Sequence, residues 1–523
     1  MASSDEEVSL HKPQIGVTGW NAEDGMGDLA HMLNAGETIR KNFPDYEVVY
    51  QIGWGLVGGG GSESGDKQDF GRLKALIDKL IFMKIIPPQE YQAKTGKDLL
   101  KEINEKNAGK IFLFNSKHYQ GFENEGGDRF PDALFWVDAS FPVFDMENED
   151  RTKIRGGTFS EKESLYFLEH GEGAHFSYLI EKPRNVPEKN IHVMGFGDIT
   201  CGDGKKRPTS GVFLEDHPKI SAEEQALVLR DIQNQAFHQL LHGQDSLDKT
   251  KSQEIIADTS FLPCYFVRES GFNLVMLALQ NLYPDKKCVM LTGKFKKEEV
   301  FDDKNLQKLK EAGYTSIEFL NAKEDKAAVE KRVLQEKEPK KVLKILSGAY
   351  FSEQDYLNLK KLPIDAVGCA GDNSLQDAII LGALPLFIPH HAGKCRVFSN
   401  LALVLSAHEN AGKWKDAINF LKCYSEEAYK SGGGRFEEVM KKLSGQVGDS
   451  HDSKFVGYMS KELSRKPADK ASIHYNAKVL AQWKEICQYL KKHHNTHDVL
   501  KQAVTEELKK HPQADSNKKK KKR

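Results

Sequence analysis

The sequence predicts an α/β protein with two Rossmann-like domains that face each other across a cleft, followed by a helical C-terminal extension. Short apolar runs of strand length alternate with longer helical patterns through residues 14–260, and the alternation starts again over residues 261–413. Strands that alternate with helices pair in parallel through right-handed crossovers, which gives a layered α/β fold. After residue 413 the strand-like runs stop and only helical patterns follow.

The first α/β set, residues 14–260, is expected to form the N-terminal domain after a disordered acidic leader at 1–13. Strands are predicted from short apolar runs, and helices from apolar residues three and four apart. The predicted strands are Gln14–Thr18, Glu47–Ile52, Lys110–Phe114, Ala133–Val137 and Ile191–Phe196. The predicted helices include Asp28–Lys41, Phe70–Phe82 and Ala222–His242.

The second set, residues 261–413, is expected to form a second Rossmann-like domain, and residues 414–511 a helical extension before a basic tail at 512–523. Its predicted strands are Leu262–Phe266, Cys288–Thr292, Ser316–Leu320, Val342–Leu346, Ala366–Cys369 and Leu386–Ile388. Its predicted helices are Phe272–Leu282, Asp303–Ala312, Ala327–Glu336 and Ser352–Lys360. The extension predicts helices at Lys415–Ala428, Phe436–Leu443, Ser472–Lys492 and Asp498–His511.

The most informative stretch follows the fifth predicted strand of the second set. A tight turn there consists of Gly371, Asp372, Asn373 and Ser374. Such a turn offers backbone N–H groups and a hydroxyl to a phosphate at a helix N-terminus. Asp377, on the first turn of the helix, carries a carboxylate that can accept two ribose hydroxyls. The same spacing also describes a plain helix cap, and both interpretations remain open at this point.

A second glycine-rich loop follows the first predicted strand. It carries Asp24 and Asp28 at the entry to the helix predicted over Asp28–Lys41. The positive end of the helix dipole favours carboxylates there, so helix capping is again the plain interpretation. One loop with carboxylates and one with phosphate-binding groups together favour a nucleotide-sugar site.

Three short segments carry a family resemblance. Met26–Ala35 resembles the N-terminal loop of bacterial lipopolysaccharide heptosyltransferases, which have Gly-Asp and His-x-Leu at those places. Asp24–Asp28 is similar to the Asp-x-x-Gly-Asp loop of bacterial protein-arginine rhamnosyltransferases, and Gly371–Ser374 resembles their diphosphate loop. The segments Val193–Gly197 and Pro208–Phe213 are similar to the Gly-Phe and Thr-Gly-Gly segments that lie late in the N-terminal domain of the rhamnosyltransferases. Long insertions separate these islands, so acceptor identity does not carry over.

Both families are GT-B glycosyltransferases, and the resemblance implies their division of labour. Asp28 would be the general base, and Asp24 would orient the acceptor or share that role. The C-domain loop would hold the donor diphosphate, and Asp377 would hold the ribose, although GT-B relatives more often have Glu there. The donor substrate would be a nucleotide-diphospho-sugar, with no separate cofactor. No metal is expected, since no Asp-x-Asp motif lies in a suitable place.

Composition excludes several other classes of protein. The chain has 523 residues, 39% of them hydrophobic and 29% charged, which is typical of two or three globular domains. A net charge of −1 argues against a nucleic-acid-binding protein. No apolar run approaches the roughly 20 residues that span a bilayer. The acidic start is unlike a signal peptide.

Cysteine usage points to the compartment. The seven cysteines are scattered without a Cys-x-x-Cys pair, which favours a reducing cytosol. We therefore expect a cytoplasmic protein, and a bacterial effector delivered into a host cytosol would have the same character. The expected partners are a nucleotide sugar and a protein or glycan acceptor, with neither nucleic acid nor an integral membrane segment.

The tail and two alternative functions remain open. Lys518–Arg523 is a like-charge block, interpreted as a solvated end, a nuclear signal or a segment attracted to anionic surfaces. A nucleotide-sugar epimerase or hydrolase would use the same fold, because fold does not fix chemistry. A non-catalytic GT-B-like scaffold would work through its helical C-terminus and basic tail.

Overall fold

The chain forms two compact units in a computed structural model. The first comprises Met1–Phe213 and Asn495–Arg523, and the second comprises Leu214–His494. The division thus falls before the expected boundary at 260/261, because the helices that follow Leu214 pack on elements of the second unit. The residues described are 12–21, 27–55, 63–116, 133–139, 164–168, 187–200, 205–243, 247–266, 272–324, 328–338, 340–387, 392–422 and 476–511.

The first unit is built on a six-stranded, wholly parallel sheet. Its strands are β1 Gln14–Asn21, β2 Glu47–Gly55, β3 Ile111–Ser116, β4 Ala133–Asp138, β5 Ser164–Leu168 and β6 Ile191–Val193. The order across the sheet is β3-β2-β1-β4-β5-β6, the doubly wound order of the Rossmann fold. A separate antiparallel pair joins β7 Asp198–Thr200 to β8 Lys206–Pro208.

Helices of the first unit cover this sheet with apolar faces. They are α1 Gly27–Asn42, α2 Glu63–Phe82 and α3 Gly96–Lys106, and a 3₁₀ turn spans Glu188–Asn190. In α3 the Thr95 side chain caps the helix by accepting a hydrogen bond from the Asp98 N–H at 3.1 Å. Leu99 and Ile103, four residues apart, then bury the same face.

The second unit contains a five-stranded sheet and a two-stranded one. Its first elements are α4 Ala222–Asp231, α5 Gln235–His242, α6 Lys249–Asp258, β9 Thr259–Pro263, α7 Phe272–Asn281 and β10 Cys288–Gly293. Then come α8 Lys297–Val300, α9 Asp303–Glu311, β11 Ser316–Asn321, β12 Glu330–Val333, β13 Val342–Ser347 and α10 Glu353–Lys360. The last are β14 Ala366–Cys369, α11 Asp372–Leu381, β15 Leu384–Phe387, α12 Ala392–Ser406, α13 Lys415–Lys422 and α14 Ala477–His493.

The C-terminal helices divide between the units. Helix α14 belongs to the second unit, where the Trp483 indole donates to the Ala383 carbonyl at 2.6 Å. Helix α15, Thr496–Leu508, belongs to the first unit and packs on α1. A backbone hydrogen bond from Thr496 to the Val212 carbonyl, at 2.9 Å, fixes its start. The predicted helix Phe436–Leu443 lies outside the described residues.

The helices and mainly parallel sheets of the two units confirm the predicted α/β class, but some elements were predicted wrongly. The helix predicted over Ala222–His242 is two helices, because Asn234 caps α5 by accepting from Phe237 N at 2.9 Å. The helix predicted over Ala327–Glu336 was wrong, because β12 forms there as an antiparallel edge strand on β11. The elements that were not predicted are strands β5, β7 and β8 and helices α3, α6, α8 and α12.

Candidate functional site

Two isolated bridges place β14 beside β9 in the second unit. Phe261 pairs in parallel with Ile364, and Cys264 pairs in parallel with Gly368. Since β10 lies on the other side of β9, the strand order is β12-β11-β13-β10-β9-β14-β15. The chain therefore resumes on the opposite side of β9 when it reaches β14. Ligands of open α/β sheets bind outside the carboxyl ends of strands at such a switch point, where loop 370–374 lies.

A glycine at position 368 lets β14 approach β9 closely. A Cβ at Gly368 would lie 2.7 Å from Phe266 Cζ and 2.8 Å from Cys264 Cα, closer than real Cβ atoms come. The Tyr265 N–H donates to the Gly368 carbonyl at 2.8 Å, which holds the two backbones side by side. A larger residue would push β14, and the loop after it, away from β9.

The Ser374 hydroxyl is buried inside the loop. It accepts hydrogen bonds from the Ala370 N–H at 3.1 Å and the Gly371 N–H at 3.2 Å, and it donates to the Gly371 carbonyl at 2.9 Å. The Cys369 thiol, whose pKa is raised well above its usual range by burial, donates to the Ser374 carbonyl at 3.2 Å. Ser374 is therefore a cap of its own turn. A phosphate would be met by backbone N–H groups of the first helical turn, not by this hydroxyl.

Two donors from α10 hold the Asp377 carboxylate. Lys360 Nζ lies 2.7 Å from Asp377 Oδ1, and the Tyr356 hydroxyl donates to Asp377 Oδ2. The Lys360 ammonium also lies 4.3 Å from the centroid of the Tyr356 ring. Burial, reinforced by the Asp377 charge, raises the pKa of Tyr356 well above its usual range, so the phenol stays protonated. A ribose diol at Asp377 would compete with bonds already made inside the protein.

The remaining predicted residues of this loop lie together at the start of α11. Gly371 is the N-cap residue, with extended backbone, and Gly371 and Asn373 are both half-buried. Asp372 is the first residue of the helix, and its side chain lies outside the described residues. The five predicted donor-site residues therefore lie at the N-cap and within the first six residues of α11.

In the first unit the switch point lies between β1 and β4. Strands β2 and β3 lie on one side of β1, and β4, β5 and β6 lie on the other. Helix α1 follows the loop after β1, so Asp28 is the second residue of a helix at the carboxyl edge of the sheet. The side chain of Asp28 and the whole of Asp24 lie outside the described residues. The backbone position of Asp28 fits a site at this edge.

A buried polar row crosses the same sheet. Thr18 on β1 is in register with Gln51 on β2 and with Asp138 on β4. All three are at most 8% exposed, and residues in register on neighbouring strands project to one face. Asp138 ends β4, so a buried carboxylate lies at the switch point. Sequence reasoning missed it, although Asp138 directly follows the predicted strand Ala133–Val137.

Sequence reasoning also missed the two donors to Asp377. Tyr356 and Lys360 are four residues apart, and this spacing puts them on one face of α10. They reach Asp377 because the fold brings α10, which precedes β14, against α11, which follows it. The only sequence signal was a Tyr and a Lys at helical spacing just before the site strand.

A cavity of about 580 Å³ opens at the opposite, amino edge of the second sheet. Thr259 and Cys288, the first residues of β9 and β10, line it. Lys344 is fully engaged there: its Nζ lies 2.8 Å from Glu318 Oε2 and 2.8 Å from the Leu240 carbonyl. A ligand would have to displace these bonds, so the cavity is less favourable for binding than the switch point.

Metal ligation and membrane spanning concern other parts of the fold. Within the ranges that the structure describes, no group of three or more His, Cys, Asp or Glu side chains could hold a metal ion. No helix in those ranges is long and apolar enough to cross a membrane.

Comparison with known proteins finds a distant likeness among solved structures. No protein-family model matches the chain, and no curated protein matches it. Among solved structures it is similar to Medicago truncatula UGT71G1, crystallised in complex with UDP-glucose. The identity is 12%, the match covers 91% of this chain and 98% of the plant chain, and the TM-score is 0.31. A score this low transfers neither the site nor the substrate of the neighbour.

Proposed function

We propose that the protein is a metal-independent glycosyltransferase of the GT-B type, which moves a sugar from a nucleotide-diphospho-sugar to an acceptor. The loop after β14 supports this proposal most strongly. It ends at the N-terminus of α11, a ten-residue helix, and it lies at the topological switch point of a doubly wound sheet. A helix N-terminus at that place is a ready site for a diphosphate.

The first unit supports the other half of the reaction. Helix α1 starts after the loop that follows β1, so Asp28 occupies the equivalent edge of a second doubly wound sheet. In the proposed reaction an acceptor nucleophile attacks the anomeric carbon of the donor sugar. A new bond forms to that carbon while its bond to the diphosphate oxygen breaks, and the nucleoside diphosphate leaves with the electron pair.

Each proposed residue has a defined task in this step. Asp28 takes the proton of the acceptor nucleophile as general base, and Asp24 orients the acceptor. Backbone N–H groups around Asp372 and Asn373 stabilise the diphosphate, whose negative charge grows as it leaves. Ser374 contributes indirectly, because its hydroxyl holds the turn that presents those groups.

The donor site can be tested by adding a negative charge to the loop and measuring nucleotide binding. Asn373→Asp is nearly isosteric and adds a negative charge in the first turn of α11. This charge is compatible with the helix dipole but repels a diphosphate. We expect the wild type to show a selective rise in Tm with one nucleotide class among UDP, GDP, ADP, dTDP and their sugar conjugates, since ligands stabilise the state they bind. Asn373→Asp should lose that rise.

Gln225→Glu is the matched control, because it adds the same charge to the first turn of α4 in the same unit. It should keep the wild-type response. No response of the wild type to any nucleotide would refute the transferase and leave the scaffold as the better reading. Hydrolysis of the nucleotide sugar without sugar transfer to any of the acceptors tested would favour the nucleotide-sugar hydrolase.

A further inference from the structure

We propose that Asp377 is a positioning residue that locks the donor loop, and that Tyr356 and Lys360 are its partners in this task. The inference rests on the proposed function and differs from the ribose-binding role that the sequence suggested. Its basis is the arrangement of hydrogen-bond donors around one buried carboxylate.

The carboxylate faces the protein. Asp377 is 9% exposed, and each of its oxygens accepts from a different side chain of α10. The Lys360–Asp377 pair leaves only 17% and 12% of the two side chains exposed. A ribose diol needs carboxylate oxygens that are open to the ligand, whereas the Asp377 side chain is largely buried and each of its oxygens already accepts from Tyr356 or Lys360.

The three side chains connect the elements around the switch point. Asp377 lies on α11, and Tyr356 and Lys360 lie on α10. The Tyr356 ring also contacts the ring of Tyr265, which comes just after β9, with centroids 5.7 Å apart. This cluster therefore ties α10, α11 and the end of β9 together beneath loop 370–374.

The locked helix is the one whose N-terminus would bind the diphosphate. Ser374 fixes the turn through hydrogen bonds within the loop. Asp377 fixes the next turn of the same helix through its bonds to α10. Because charge-assisted hydrogen bonds are stronger and more directional than neutral ones, they hold α11 in a single orientation. Losing one should loosen the loop without removing any group that touches the ligand.

Tyr356→Phe tests this with the least disturbance, since it removes one hydroxyl and keeps the ring. A hydrogen bond to a charged group is strong enough that we expect about tenfold weaker binding of the preferred nucleoside diphosphate. Inorganic pyrophosphate should weaken by the same factor, because a misplaced helix affects the diphosphate and not the ribose. Asp377→Asn should show the same pattern.

A ribose ligand would give a different result. Asp377→Asn would then weaken the nucleoside diphosphate but leave pyrophosphate binding unchanged, and Tyr356→Phe would have little effect on either. That outcome would overturn the inference while preserving the donor site. Failure of the wild type to bind any nucleotide or pyrophosphate would instead refute the proposed function, so the two failures are distinguishable by calorimetric titration.

Tyr314→Phe is the matched control. Tyr314 is a fully buried tyrosine of the same unit, and its hydroxyl has no hydrogen-bond partner among the described residues. It should bind both ligands as the wild type does. Equal losses in Tyr314→Phe and Tyr356→Phe would mean general loosening of the unit and would also overturn the inference. Should Asp377→Asn fail to fold, the Tyr356→Phe result alone decides.

Discussion

Each unit has its own sheet, wholly parallel in the first unit and parallel except for the edge strand β12 in the second, and the loop at the switch point comes from a different place in each sequence. In the first unit the loop follows the first strand, β1, and the buried polar groups lie on the sheet itself, in the row of Thr18, Gln51 and Asp138. In the second unit the loop follows β14, late in the unit, and the polar groups come from helices α10 and α11.

Equivalent positions in the two sheets are therefore formed by unlike sequences. A motif after the first strand and a motif after a late strand occupy the same kind of edge, because strand order and not sequence order defines it. The proposed function assigns a division of labour to these two edges, in which the first unit supplies a base and the second supplies a fixed anion site.

The largest expected effect comes from removing the proposed base in the first unit. Asp28→Asn should lower sugar transfer on the order of 10²–10⁴-fold, the usual contribution of a general base, while donor binding persists in the second unit. Glu37→Gln, on the same helix but with a side chain 41% exposed, is the control. Activity retained in Asp28→Asn, measured as nucleoside diphosphate released in the presence of acceptor, would remove Asp28 from the mechanism.

The second effect concerns stability in the second unit. Lys360→Met leaves the buried Asp377 carboxylate without its cation, which should lower the free energy of unfolding by about 3 kcal/mol. Lys251→Met breaks the exposed Lys251–Glu254 pair, whose charged atoms lie 3.1 Å apart. This variant should change the free energy of unfolding by less than about 1 kcal/mol. Urea unfolding measures the free energy of unfolding of both variants. Equal losses would show that the Lys360–Asp377 pair stabilises the unit no more than an exposed ion pair does.

The third effect belongs to the first unit and depends on pH. Burial lowers the pKa of His192 to about 4, below its usual value of about 6.5. Since the unfolded chain takes up this proton first, the free energy of unfolding should fall as pH drops from about 6.5 to about 4, by up to about 3 kcal/mol. His192→Gln should flatten this decline, and an unchanged slope between pH 7 and 4.5 would exclude His192 as its cause.

The smallest effect compares one glycine from each unit. Gly368→Ala forces a Cβ against Phe266 and Cys264, and such overpacking should cost about 1–3 kcal/mol. Gly71, exposed in α2, has open space around it, so Gly71→Ala should stabilise by about 0.5–1 kcal/mol. Denaturation midpoints of the two variants should therefore move in opposite directions; a neutral Gly368→Ala would mean that β14 can shift freely.

The sequence located both loops because strand ends and glycine turns leave local signals. It could not decide what Ser374 does, since a phosphate-binding hydroxyl and a capping hydroxyl have the same spacing; the contacts to Ala370 and Gly371 decide it. It also could not pair Asp377 with Tyr356, because that contact depends on how the tertiary fold places α10 against α11.

Tertiary contacts also override local propensity at β12. Residues 327–336 are rich in helix formers, yet the chain pairs with β11 as an edge strand. Lys331 Nζ lies 3.2 Å from Glu318 Oε1, and the Arg332 guanidinium lies 4.4 Å from the centroid of the Phe301 ring. These contacts with other elements stabilise the strand, and no local sequence pattern predicts them.

The most direct measurement is a crystal structure of the protein with whichever nucleotide sugar gives the largest rise in Tm. We predict that the diphosphate oxygens lie within hydrogen-bond distance, about 3 Å, of backbone N–H groups in the first turn of α11, near Asn373. A diphosphate bound elsewhere, for example in the cavity at the amino edge beside Cys288, would contradict the proposed donor site.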